Sequence, residues 1–374
     1  MDTAASRLIA LSPRARRALA LMGVAVVVIA IAAMYFVRPH VLQQPSPATA
    51  HRLPVQRASD VVTYVFSGAS VGWAVQVPSP AADVQAAFVI FKTVDGARHW
   101  STVLSGQTQI VWVTVSSLHF VDPSHGFVIA GVPLSLLRTS DGGRLWSSSA
   151  LPSQEVVEVH FFDPLNGWAW TAARDIPNPP VHLYWTFDAG LTWSEGPSVP
   201  AQANPIPAFR DRSEGWLGSS DPRDAFVYVT ADAGTTWVRR DLPPVRDSRG
   251  GVSTYVRLLP GRGVIVYAGG STFTSFDGGQ TWQSVINPGG GLEYPLYVFE
   301  DATRWWTVEG LYLYRTIDAG QSWTAVTQAS GLEVLQVLDS KHAWGRLDEG
   351  YGTALVFTAD GGLHWNPVNV PSPA

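Results

Sequence analysis

The sequence predicts an all-β protein: a seven-bladed β-propeller of four-stranded blades over residues 60–374, preceded by one N-terminal transmembrane helix. Three observations carry this. One eight-residue pattern recurs seven times at near-constant spacing. The composition favours short strands and turns, with 34 Gly, 27 Pro and 16 Trp against only 15% charged residues. One stretch of twenty residues, Ala18 to Val37, carries no charge.

The N-terminal segment stands apart from the rest. Twenty residues at 1.5 Å each match the roughly 30 Å hydrocarbon layer of a bilayer. Arg7, Arg14, Arg16 and Arg17 precede the stretch and only Arg38 follows closely. That bias puts residues 1–17 in the cytoplasm and all that follows on the extracytoplasmic side. A cleaved signal peptide is the competing reading. Signal cores usually run about 7 to 15 residues, so a retained single-pass anchor in the cytoplasmic membrane is expected. Residues 38–59 are Pro-rich without strand alternation and read as a tether. No cysteine is present, so the exported domain holds together by packing alone.

Charge narrows the partners. Residues 1–60 carry a net +5 and residues 61–374 a net −10. So acidic a domain is a poor ligand for nucleic acid, whose binding depends on phosphate neutralisation.

The repeats read TVDGARHW from 93, TSDGGRLW from 139, TFDAGLTW from 186, TADAGTTW from 230, SFDGGQTW from 275, TIDAGQSW from 316 and TADGGLHW from 358. Their tryptophans are 46, 47, 44, 45, 41 and 42 residues apart, a period that with strand-like content indicates propeller blades. An earlier strand pair precedes each box, as in HFVDPSHGFVIA and HFFDPLNGWAW, giving four strands per unit. Four strands bury their faces only against neighbouring units, so the units close into a ring.

Within a box the aspartate (Asp95, Asp141, Asp188, Asp232, Asp277, Asp318, Asp360) is expected to accept a backbone N–H two residues on, beside the Ser or Thr hydroxyl. Glycine at the second position after it, replaced only by Ala97, suits a positive φ. The tryptophan packs between blades. These are structural roles.

The recurrence of S/T-x-D-x-G-x-x-W resembles the Asp-box, or BNR, repeat of bacterial sialidases, sortilin-type receptors, xyloglucanases and photosystem II stability/assembly factors. Seven units with GWA-type strands are most similar to the photosystem II assembly factor group. That resemblance covers about residues 60–374 and implies a non-enzymatic propeller acting outside the cytoplasmic membrane or in the thylakoid lumen. The motif specifies fold far better than function.

Other chemistries fare less well. A calcium site wants six to eight oxygens, and each box supplies one carboxylate. The nine histidines contain no H-x-x-x-H pair and read as turn residues, so neither a metal nor a cofactor is expected. The resemblance to sialidases would imply an Arg-Ile-Pro motif and an arginine triad. No arginine lies between Arg57 and the first box, and Arg138 and Arg315 belong to strands leading into boxes. The Gly-rich 288–293 run lacks the Lys-Ser/Thr and helix of a phosphate loop. No residue is assigned a catalytic role, and a carbohydrate-active hydrolase with a central carboxylate pair is kept as the alternative.

Blade connectivity separates two faces. Boxes and D-x-x-x-G turns share one. The two-to-three loops and blade-to-blade connections share the other, and residues 77–85, 174–180, 196–207, 219–224, 241–253, 287–293 and 347–352 insert there. Variable loops on a rigid ring are where recognition is placed. Arg174, Asp175, Arg223, Arg246, Arg249 and Glu293 are the candidate binding residues, with Trp112 from the connection QIVWVTVSS. They would meet a protein partner, such as a membrane complex, or a glycan. Trp170 and Trp185 are expected in the core.

Overall fold

The computed structural model describes residues 55–57, 60–78, 85–109, 111–172, 181–200, 202–221, 223–245, 253–289, 296–348, 350 and 352–371. The helix expected over 18–37 lies outside these residues. Among the described residues no helix is long and apolar enough to cross a membrane.

Seven antiparallel sheets follow one another, six of them four-stranded with their strands in sequence order and the seventh joined by a strand from the start of the domain. Blade three is representative: Val156–Phe161, Gly167–Ala172, Val181–Thr186 and Ser194–Glu195. Burial grades across a blade. The second strands Gly126–Ala130, Gly215–Ser219 and Val264–Ala268 are buried at every residue, while the fourth strand Ser147–Ala150 is mostly exposed. The fourth strand is therefore the outer rim.

Seven hydrophobic clusters hold the ring, and each joins two consecutive blades. The cluster of Trp73, Phe88 and Val128 joins blades one and two, and that of Phe66, Trp344 and Leu355 joins blades seven and one. A half-buried box tryptophan packs on every cluster: Trp146, Trp193, Trp237, Trp282, Trp323, Trp365 and, at the last seam, Trp100. Aromatic pairs cross six of the seams, and four of them show the range. Trp73 stacks on Phe120 (ring centroids 3.6 Å), Phe127 on Phe161 (3.5 Å) and Trp344 on Phe66 (3.9 Å), while Trp168 is tilted against Phe209 (5.9 Å). The glycine that opens the second strand makes room for the first-strand ring. A Cβ built at Gly126 would overlap Phe120, and one at Gly215 would overlap Phe209. Trp170 and Trp185 are core, 5% and 6% exposed.

Two features differ from the sequence reading. The connection carrying Trp112 is a short helix, α1 (Val111–Ser117), whose Val113 and Val115 are buried. Its Ser117 hydroxyl accepts the Ile129 N–H at 2.8 Å, and Thr114 pairs with Thr108 at 2.7 Å. The expected tether also reaches the ring. Val55–Arg57 is a strand pairing with Gly352–Ala354 of blade seven, whose own fourth strand, Asn366–Pro367, covers only Val356 and Phe357. Both ends of the domain thus complete the outer rim of one blade.

Candidate functional site

All seven boxes are closed hydrogen-bonded units. In the third, Thr186 Oγ1 donates to Asp188 Oδ1 (3.0 Å) and accepts the Gly190 N–H (2.8 Å), while Asp188 Oδ1 accepts the Thr192 N–H (2.9 Å). The same three bonds recur around Asp95, Asp141, Asp232, Asp277, Asp318 and Asp360. This corrects the expected register: the backbone N–H accepted lies four residues on. The reason is that both residues after the aspartate are left-handed, as at Ala189 (φ 61°) and Gly190 (φ 76°), which folds the chain back under the carboxylate. The two-residue Asx bond belongs to the D-x-x-x-G turns, where Asp122 accepts from Ser124 (2.7 Å) and Asp163 from Leu165 (2.8 Å).

The two turn types lie on one face, as connectivity predicts, and are bonded to each other. Gly96 N donates to Ser70 O (2.9 Å), Gly142 N to Ser124 O (2.7 Å), Ala189 N to Leu165 O (2.9 Å), and three other blades repeat the bond.

Electrostatics agree with a structural role. Hydrogen bonds favour the ionised carboxylate, so the box aspartates sit well below the usual range. Asp95, Asp277 and Asp360 are held at about 2, led by the His99 ring, the Thr281 hydroxyl and the His364 N–H respectively. At Asp318 burial pushes upward and is outweighed by bonds from Ser322 and Thr316, again giving about 2. Leu145, Thr192 and Thr236 lower Asp141, Asp188 and Asp232. Carboxylates so tied are poor general acids.

Not all histidines lie in turns. His119 and His160 sit on first strands with ring centroids 4.8 Å apart, and His119 Nε2 meets the Phe161 carbonyl at 3.1 Å. Burial, then the neighbouring His119, holds His160 at about 4, so it is neutral near pH 7. First strands leave an unpaired edge, and side chains of the preceding blade satisfy it. Gln336 bonds both the N–H and the C=O of Phe66 (3.1 and 2.9 Å), and Arg257 reaches the Tyr297 carbonyl (3.1 Å).

The opposite face is described in part. Arg174, Asp175, Arg246, Arg249 and Glu293 lie outside the described residues, and for Trp112 only the helical backbone is described. Arg223 is exposed, with its N–H on Asp221 Oδ1 (2.8 Å). Nearby, Arg239 pairs with Asp241 (2.6 Å) and Asp224 (3.6 Å), and Gln202 bonds Asp221 (3.2 Å). The structure thus brings Asp221, Arg223 and Asp224 together on one loop of blade four. It also adds two acids that pattern reading missed, one half-buried and one buried. Glu158, pushed upward by burial, meets the Trp170 N–H at 3.4 Å, and Glu309 is 3% exposed at the end of a second strand. Neither stands in a recurring motif.

Comparison with known proteins agrees with this architecture. A YCF48 structure bound to a D1 peptide is 15% identical, with a TM-score of 0.51 over 86% of this chain and 97% of that one. YCF48 from Cyanidioschyzon merolae is 17% identical, with a TM-score of 0.52 over 83% and 95%. The GH74 xyloglucanase of Xanthomonas campestris is 13% identical, with a TM-score of 0.37 over 85% and 56%. No curated protein matches the chain in sequence. The profile of the photosynthesis system II assembly factor YCF48 family matches residues 92–369, and the chain belongs to that family.

Proposed function

We propose that this protein is a membrane-anchored, extracytoplasmic, non-catalytic scaffold that holds a protein partner on its loop face during assembly of a membrane complex. The family match over residues 92–369 carries this reading. The solved YCF48 bound to a D1 peptide supports a protein as the kind of partner. The box aspartates are bonded within their own turns, so this reading seats the assembly partner on the variable loops, with residues 18–37 as the anchor.

Crosslinking and affinity recovery from native membranes test it. Charge reversal at Arg174, Arg223 and Arg249 should weaken partner recovery with folding unchanged, because rim charges act mainly on association. Reversal at Arg144, on the box face, should matter little. Membrane association should survive high salt and alkali, and external protease should remove the propeller. Hydrolysis of a sialoside or β-glucan, lost on changing a single Asp or Glu, would replace this reading with the hydrolase.

A further inference from the structure

The residue just before each box threonine or serine repeats in place but not in chemistry. On blades one, two and six it is a cation that crosses the seam to the next box. Lys92 Nζ donates to Gly142 O (2.8 Å), Arg138 to Ala189 O (3.0 Å) and Arg315 to Gly361 O (3.3 Å). Each accepting residue directly follows its box aspartate. Two of the cations also lie over the second-strand indole opposite them, Lys92 5.3 Å from the Trp73 centroid and Arg315 4.5 Å from Trp306.

Blade seven keeps the indole and lacks the cation. Trp344 pairs in register with Phe357, whose ring packs on it at 4.6 Å and has no donor for the box-one turn. At this seam a cleft of about 550 Å³ opens on the box face. Its lining includes Phe357 and Trp344 together with Gly96, the box-one counterpart of Gly142, and Asp95. Val368 and Asn369 close its outer side, where Asn369 donates to Arg98 O and accepts the Trp100 indole N–H (2.8 Å).

We infer that this cleft receives a cationic side chain, the guanidinium or ammonium group of an extended segment of a partner protein, in the place that Lys92, Arg138 and Arg315 fill within the chain at other seams. The incoming cation packs against Phe357 and donates to the box-one turn, with Asp95 as the nearby anion. Aromatic faces attract such groups most when both are partly desolvated. Arg98, exposed at the rim, opposes it and sets a limit on affinity. This site is on the face opposite the variable loops and is independent of the loop-face reading.

Calorimetric titration of the full-length protein with acetyl-Gly-Arg-Gly-amide, and with its neutral citrulline isostere, tests the inference. The arginine peptide should bind saturably and the citrulline peptide at least about tenfold more weakly. Phe357→Lys, which supplies the missing cation internally, should abolish binding. Ser70→Arg, at the exposed lip of the cleft, should do the same if Phe357→Lys fails to fold. Arg98→Gln should tighten the arginine peptide. Equal binding of the two peptides, no binding at millimolar concentration, or unchanged binding by the filled variants would overturn the site. Partner recovery through the loop face would be untouched by any of these results.

Discussion

The hydroxyl of Thr186 accepts the backbone N–H of Gly190 at 2.8 Å, and Thr186 is 1% exposed. One small side chain thereby fixes the turn, because it also donates to Asp188. Thr186→Val keeps the volume but leaves the Gly190 N–H and the Asp188 carboxylate short of a partner. The expected loss is about 1–3 kcal/mol, read as a lower urea midpoint with unchanged slope. Thr186→Ser should recover most of it.

Alanines at positive φ make the boxes improvable. Ala189, Ala233 and Ala319 adopt φ of 61°, 60° and 57°, where a Cβ is disfavoured. Replacing each by glycine should raise stability by up to about 1 kcal/mol, the relieved strain being partly offset by unfolded-chain entropy. The three sites belong to different blades and should add. Gly190→Ala should do the opposite and do it more strongly, since its Cβ would overlap Leu136 as well. Thermal melts of the four variants decide this.

The repeat made the ring legible. Box spacing defined the blades, and connectivity alone assigned both turn types to one face, which the Gly142–Ser124 bond bears out. What the pattern could not supply was the partner of each polar group. The box aspartate's bond falls four residues on because Ala189 is left-handed, and an alanine gives no sequence signal of that. The role of Val55–Arg57 depends on a strand some 300 residues away, beyond any local pattern. Phe357 aligns with Lys92 in the repeats, but only the structure shows that the cation at this position reaches across the seam to the next box, which Phe357 does not do.

Acid should unfold the ring through its boxes. Asp95, Asp277, Asp318 and Asp360 have folded-state values near 2, below the ordinary aspartate value near 3.9. A depressed folded value means the contribution is fully present above about pH 4 and is lost as pH falls toward about 2. Urea midpoints should therefore decline gently as pH falls from about 6.5, where the unfolded chain protonates His160 and the folded one resists it, and drop steeply below about 4 as the box aspartates protonate. Asp360→Asn should be less stable than wild type at pH 6, and the gap should close near pH 2. A gap that persists unchanged to pH 2 would mean that ionisation of Asp360 contributes nothing.

The N-terminal strand should matter to stability as a seam closure. Arg57 pairs with Gly352 and Val55 with Ala354, so the short fourth strand of blade seven is complemented by residues that precede the first blade. A chain beginning at Leu53 keeps this strand, and one beginning at Ser59 leaves the Gly352–Ala354 edge bare. Uncovered strand edges pair with other chains. The shorter chain should therefore melt lower and self-associate in sedimentation, while the longer one stays monodisperse. Adding back a peptide spanning residues 52–58 at millimolar concentration should raise the melting temperature of the shorter chain and leave that of the longer one unchanged, because only the former has the edge free. Equal melting temperatures for the two chains would show that the ring closes through the Phe66–Trp344 and Gln336–Phe66 contacts alone.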